Sequence, residues 1–260
     1  MKKIFFSLVS FCLLITLVLP LSGCSNTCSL PADPPQNRES YIGEIAQLWE
    51  STALICGCDE TASSGELYTV ALSSPKLVGA DGKAITQEDL KPGMKVQIFY
   101  TGGIQETWPA GFTSVEKIAV MEEGTDLLSM YSDVLKEIYT CSEGLNKDIN
   151  LIALDLTKTI NLTDAQKSAL SYMAWNEFDL DTVLSTSEQL CKQGLINEDE
   201  LFFENGILIE ISTEETPGKK SFTFSVSKWR SGLGAVFFED CSAKYRSGHW
   251  QYTLGGAAIS

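Results

Sequence analysis

From Tyr41 to Met121 apolar and polar positions alternate in short runs separated by turn residues, the pattern of strands with one buried face. The periodicity predicts five strands: Tyr41–Trp49, Thr52–Cys58, Glu66–Leu72, Lys95–Thr101 and Thr113–Met121. Between the third and fourth, Thr86 and Asp89 have capping-box spacing for one helical turn, which Pro92-Gly93 ends. Five strands with a helical turn in that place have the order of an OB-like barrel, whose curl shelters its edges. After Gly124 the period becomes helical: Leu127, Tyr131, Val134, Leu135, Ile138 and Tyr139 share one face, with Asp126 at the start and Gly144 past the end. Ile149–Leu156 is an apolar run suited to a buried strand. Thr163 with Gln166 opens a helix over 164–176, and Ser185 with Glu188 opens another over 186–193 that Gly194 terminates. Alternation returns at Ile207, Ile209 and Ile211 and at Phe222, Phe224 and Val226, then continues through Ala235–Cys241 and His249–Thr253. Helices first and strands later predict an α+β domain, its helices packed on an antiparallel sheet.

The amino terminus has a different character. Lys2 and Lys3 precede an apolar run from Ile4 to Pro20, and Leu21-Ser22-Gly23-Cys24 follows, the order of a bacterial lipoprotein signal. The run is short for a transmembrane span, which needs about 20 apolar residues. Cleavage before Cys24 makes that cysteine the first mature residue and the site of lipidation, palmitate among the acyl chains expected. Two or more chains give stable anchoring. The expected location is the extracytoplasmic face of the membrane. Pro31, Pro34 and Pro35, set among Ser, Asn and Asp, make 24–39 a stalk that buries no core. The predicted organisation is a signal peptide at 1–23, the lipidated cysteine and stalk at 24–39, a β-domain at 40–122 and the α+β domain at 125–256. The roughly 237 residues after position 23 exceed a typical domain of about 100–150, which favours two cores.

Residues 40–122 also carry a resemblance. Gly79-Ala80-Asp81-Gly82-Lys83, the stretch Asp89 to Val96, Tyr100, Trp108-Pro109-Ala110 and Val115-Glu116-Lys117-Ile118 together resemble a small OB-like domain of unknown function. That domain recurs in secreted and lipid-anchored proteins of Gram-positive bacteria. The resemblance implies export and an OB-like fold, and no activity. The run from Lys228 to Ala235, with Asp240-Cys241 and Lys244 beyond it, resembles a segment of uncharacterised clostridial secreted proteins.

Charge narrows the function. Without Lys2 and Lys3 the chain carries 17 basic against 34 acidic residues, a formal charge of −17. Binding to nucleic acid is driven by Lys and Arg displacing phosphate counterions, so no nucleic-acid partner is expected, even where helices 164–176 and 186–193 could be drawn as a winged helix. No metal and no cofactor is expected either. Cys56 and Cys58 lack a second close pair, and His249 is the one histidine. Export permits disulfides among Cys28, Cys56, Cys58, Cys141, Cys191 and Cys241, but their spacing specifies none and buried thiols are the expectation.

A single histidine in a turn specifies no catalytic triad, and no Gly-x-Ser-x-Gly elbow is present. Asp179, Asp181, Glu198, Asp199 and Glu200 are acid–base candidates by type, the basis of an alternative reading as an envelope hydrolase. The preferred reading is a non-catalytic binding module for a glycan, a peptide or an envelope protein. A third reading is an inhibitor or accessory subunit. Trp108 and, beside it, Phe112, in the long Gly102–Phe112 loop before the fifth strand, are ligand-binding candidates, because OB-like barrels use that loop. Trp229 and Arg230 are a second candidate pair, as a stacked anchor.

Overall fold

In the computed structural model, residues 38–58, 65–215 and 218–259 are described. The predicted signal segment, Cys24, Cys28 and the predicted stalk up to position 37 lie outside the described residues. The described residues fall in one compact unit. No helix among them is long and apolar enough to cross a membrane.

Eight strands form the first sheet: β1 (Glu39–Leu48), β2 (Thr52–Cys56), β3 (Leu67–Ala71), β4 (Lys76–Val78), β5 (Lys95–Tyr100), β6 (Ile104–Gln105), β7 (Ala110–Phe112) and β8 (Val115–Glu122). They are ordered β4-β8-β5-β1-β2-β3-β7-β6. The five predicted strands are present as β1, β2, β3, β5 and β8, whereas β7 forms within the connection expected to be a loop before the last of them. Thr113 and Ser114, the latter at φ 50°, separate β7 from β8. β7 pairs parallel with β3 and β8 antiparallel with β5, so one stretch of chain joins both sides of the sheet. The added strands β4, β6 and β7 are two or three residues long, too short to show a period. Alternation along β1, β2 and β5 sends Ile45, Ala53, Ile55, Val96 and Ile98 to one core cluster. The isoleucines and the valine each contribute about 1.5–3 kcal/mol when fully buried. The helical turn Gln87–Asp89 carries the predicted box, with Thr86 N–H donating to Asp89 Oδ2 at 2.9 Å.

Helices α1 (Leu127–Thr140), α2 (Asp164–Phe178) and α3 (Ser187–Lys192) lie where the helical period placed them. Asp126 caps α1, accepting from Ser129 N–H at 3.2 Å, and the Thr163–Gln166 box opens α2. The third box sits one residue later than predicted. Ser185 N–H is committed to Leu154 O, so Thr186 and Gln189 form the reciprocal cap.

The second sheet comprises β9 (Leu151–Asp155), β10 (Asp181–Leu184), β11 (Gly206–Ser212), β12 (Ser221–Ser231), β13 (Gly234–Arg246), β14 (His249–Thr253) and β15 (Gly256–Ile259). Its order is β10-β9-β11-β12-β13-β14, with β15 also on β13. The prediction of an antiparallel sheet is corrected here, because β9 runs parallel to both β10 and β11. Crossovers through α2 and α3 return the chain in the same direction, as parallel pairing requires. Alternation divides the two faces: Ile152, Leu154, Ile207, Ile209, Phe222 and Phe224 meet α1 and α2, whereas Ala153 and Leu208 meet Leu190 and Phe203 on the other side. The cluster around α1 and α2 also takes Ala46, Leu54, Cys56 and Leu67 from the first sheet.

Candidate functional site

Three aromatic side chains from two distant segments line a cleft of about 500 Å³. Trp108 comes from the connection between β6 and β7, and Tyr172 and Trp175 from α2. The packed side of α2 uses Ala165, Ala169, Leu170, Met173 and Ala174. Ser168, Ser171, Tyr172 and Trp175 follow at i, i+3, i+4 and i+7, a separate stripe that lines the cleft. Strand β10 supplies the remaining wall through Asp181, Thr182, Val183 and Leu184.

The walls are tied together by polar contacts. Thr182 Oγ1 donates to Ser171 O at 2.9 Å, and Ser171 Oγ donates to Thr182 Oγ1 at 3.2 Å. Tyr172 packs against Trp175 with centroids 5.3 Å apart and meets the edge of Trp49 at 6.4 Å. Trp108 is 60% exposed, Trp175 44% and Leu184 37%. Thr107 Oγ1 donates to Pro109 O at 2.8 Å across the Trp108–Pro109 peptide bond, which is cis. Pro109 is buried, so the chain is held on either side of the exposed indole. Among the described lining residues Asp181 is the one carboxylate, and none is Lys, Arg or His. The cleft offers aromatic faces, hydroxyls and one negative charge, a set suited to ring faces, apolar side chains and neutral or cationic groups.

The other sequence candidates lie elsewhere. Phe112 is buried rather than beside Trp108, with its ring stacked on Tyr68 at 4.8 Å and near Tyr100 and Tyr41. Trp229 is partly buried against the Leu190–Phe203 cluster. Arg230 is a structural clamp: its guanidinium donates to Leu145 O at 2.9 Å, Lys147 O at 2.6 Å and Glu204 O at 2.8 Å, and lies over the Phe202 ring. Three carbonyls thus occupy the face a ligand would need. His249 is exposed on β14, with Nε2 3.0 Å from Gln251 Nε2. Of the five acid candidates Asp181 alone lines the cleft; Asp179 caps α2, and Glu198, Asp199 and Glu200 belong to the loop after α3. Among the described residues no group of three or more His, Cys, Asp or Glu could hold a metal ion.

Two features were not read from the sequence. Tyr172 and Trp175 were passed over, although their three-residue spacing off the packed face of α2 is the signal that places them together. The second is Lys228, fully buried on the inward side of β12, where it continues the register of Phe222, Phe224 and Val226. Its Nζ donates to Tyr139 O at 2.9 Å, to Cys141 O, to Ser142 O at 3.4 Å and to Asn146 Oδ1 at 3.2 Å. These are carbonyls at and beyond the C-terminus of α1, where a cation is favoured and backbone acceptors lack helical partners. Burial pulls its ammonium down to about 8, opposed by Cys141 and Glu143 nearby. Burial likewise lifts Glu44 on β1 to about 7, opposed by a hydrogen bond from Gln166 of α2 at 3.0 Å.

No family model matches the chain, and no curated protein matches it. Among solved structures, the yobA protein from Bacillus subtilis subsp. subtilis strain 168 is similar at 16% identity over 34% of this chain and 98% of that one, with a TM-score of 0.26.

Proposed function

We propose that this chain is a membrane-anchored, extracytoplasmic lipoprotein that works as a non-catalytic binding module. Cys24 carries the lipid, the proline-bearing stalk holds the folded part off the bilayer, and the Trp108–Tyr172–Trp175 cleft takes a glycan or peptide of the cell envelope. The observation that carries the reading is the convergence of three aromatic rings, two of them substantially exposed, on one cleft. Exposed aromatic surface in a concave site is costly unless something covers it. Within this reading the first sheet is an OB-like barrel: β1 pairs with β2 and β5, β2 with β3, and the β7–β8 stretch with both β3 and β5. The loop bearing Trp108 is then one that such barrels use for ligands. Binding is favoured over hydrolysis because acid–base cleavage of a glycosidic bond uses two facing carboxylates, and this cleft has one.

Truncating Trp108 to Ala tests the site. Loss of an aromatic stacking contact typically costs about 1–3 kcal/mol, or roughly tenfold and more in affinity. With most of the indole exposed, thermal stability should change little. Calorimetric titration with tetra-N-acetylglucosamine and with short extended peptides, alongside a melting curve, checks both. Equal affinity in the two proteins, or a large fall in melting temperature with no ligand bound by the wild type, defeats the reading. The anchor is tested separately: Cys24→Ala should abolish incorporation of labelled palmitate and release the protein from the membrane fraction, and unchanged labelling refutes it.

A further inference from the structure

We infer that the ligand of this cleft is an extended, neutral-to-basic polypeptide segment that adds to the second sheet as a new strand beside β10. The inference rests on the reading of the cleft as a binding site and names what enters it.

The argument starts from the backbone. β10 is the terminal strand of its sheet, and all four of its residues line the cleft. Its parallel register on β9 pairs Asp181 with Leu151 and Leu184 with Leu154, and Asp181 N–H and Ser185 N–H donate inward to Asn150 O and Leu154 O. In a parallel ladder alternate residues make both inner bonds. Those are Asp181, Val183 and Ser185, so the N–H and C=O of Thr182 and Leu184 point away from β9. Two residues along a strand span about 6.6 Å, which gives the cleft a row of donors and acceptors at the repeat of another extended chain. Thr182 and Leu184 N–H would donate to carbonyls of the incoming strand, and their C=O groups would accept from its N–H groups.

Side chains then select. β10 has no Lys, Pro or bulge to blunt its edge, which is four residues long and carries one charge, on Asp181. Its flank is aromatic instead, so a large apolar side chain of the added strand meets Trp108, Tyr172 and Trp175 while the backbone pairs. A sugar would use those ring faces and leave the ordered amide row unmatched. A second copy of this chain is disfavoured by charge, since each carries −17 after the signal segment. With Asp181 in the wall and no cationic side chain among the described lining residues, a segment bearing Lys or Arg is the complementary partner.

Leu184→Pro isolates the backbone contribution. Proline removes an N–H that points into the cleft and takes no bond from the β9 ladder. Binding of acetyl-Lys-Val-Lys-Trp-Lys-Val-Lys-amide to the full chain in detergent should be measured by calorimetry. Comparisons are the same peptide N-methylated at alternate amides, its Glu-for-Lys counterpart and tetra-N-acetylglucosamine. The basic peptide should bind, and Leu184→Pro and N-methylation should each weaken it at least tenfold, with the acidic peptide weaker as well. The N-methylated peptide keeps the test decisive should the proline variant fold poorly. Binding indifferent to N-methylation overturns strand addition. Tight binding of the glycan alone also overturns it but preserves the cleft as a binding site, whereas no binding by any probe removes both. Sedimentation showing a dimer that Leu184→Pro dissolves overturns it in favour of self-association.

Discussion

Lys228→Ala should destabilise the fold by about 3–5 kcal/mol: the buried stem leaves a cavity, and the acceptors at the end of α1 lose their donor. Lys228→Met keeps most of the stem and removes the cost of burying a charge, so its loss should be smaller. Comparing the wild type with the methionine variant across pH separates these contributions. The lysine titrates near 10.5 when unfolded and at about 8 in the fold. Between those values the unfolded chain binds more protons, so wild-type stability gains with rising pH. Methionine binds none, and the stability of wild type minus variant should therefore grow from pH 8 to about 10.5. Burial raises the Tyr131 hydroxyl and the Cys56 thiol, which acts in the opposite direction at high pH, but both groups are present in the two proteins and cancel in the difference. Chemical denaturation at pH 7, 8, 9 and 10 gives the result, and a difference that stays flat across that range refutes a buried, depressed Lys228.

Legibility followed length and periodicity. β1, β2, β3 and β5 have five to ten residues, and α1 has fourteen with a continuous apolar stripe; all were visible because two or more periods repeat. β4, β6, β7 and β10 have two to four residues, less than a pattern needs, and are held in place by the sheets they join. β10 mattered most. Without it the parallel β9 pairing could not be foreseen, and neither could the wall opposite Tyr172 and Trp175. Trp108 and Phe112 were singled out on the same ground, their place in the connection before the last strand of the first sheet, yet Trp108 is exposed at the cleft and Phe112 is buried. Four residues along the chain from Trp108, Phe112 ends β7 and its ring turns onto Tyr68 in the buried cluster of the first sheet. Lys228 stood in an inward register that the alternation already marked, but only the end of α1 supplies its reason.

The junction between the first sheet and α1 rests on a close backbone approach, and Gly124→Ala should disrupt it more than any surface change. A Cβ on Gly124 would lie inside the contact distance of Gly93 O and 2.7 Å from the Gly93 carbonyl carbon. Both are backbone atoms, so no side chain can swing aside. Nor can Gly93 retreat freely. It sits at φ 84° with its N–H donating to Ile45 O at 2.8 Å, and its own Cα faces the Asp126 backbone, where the αL cap of α1 begins. Moving one strand end therefore pulls on β1 and on the helix cap together. Overpacking commonly costs about 1–3 kcal/mol, and a backbone clash with no relief belongs at or above the upper end. At about 2–4 °C per kcal/mol for a chain of this size, the melting temperature should fall by roughly 6–12 °C. Gly144→Ala is the control, because an added Cβ there meets nothing within 4 Å and the backbone is not left-handed. It should leave the melting temperature nearly unchanged. Equal melting temperatures for the two variants would show that the Gly93–Gly124 approach yields without cost, and that the sheet and α1 are not pinned at this point.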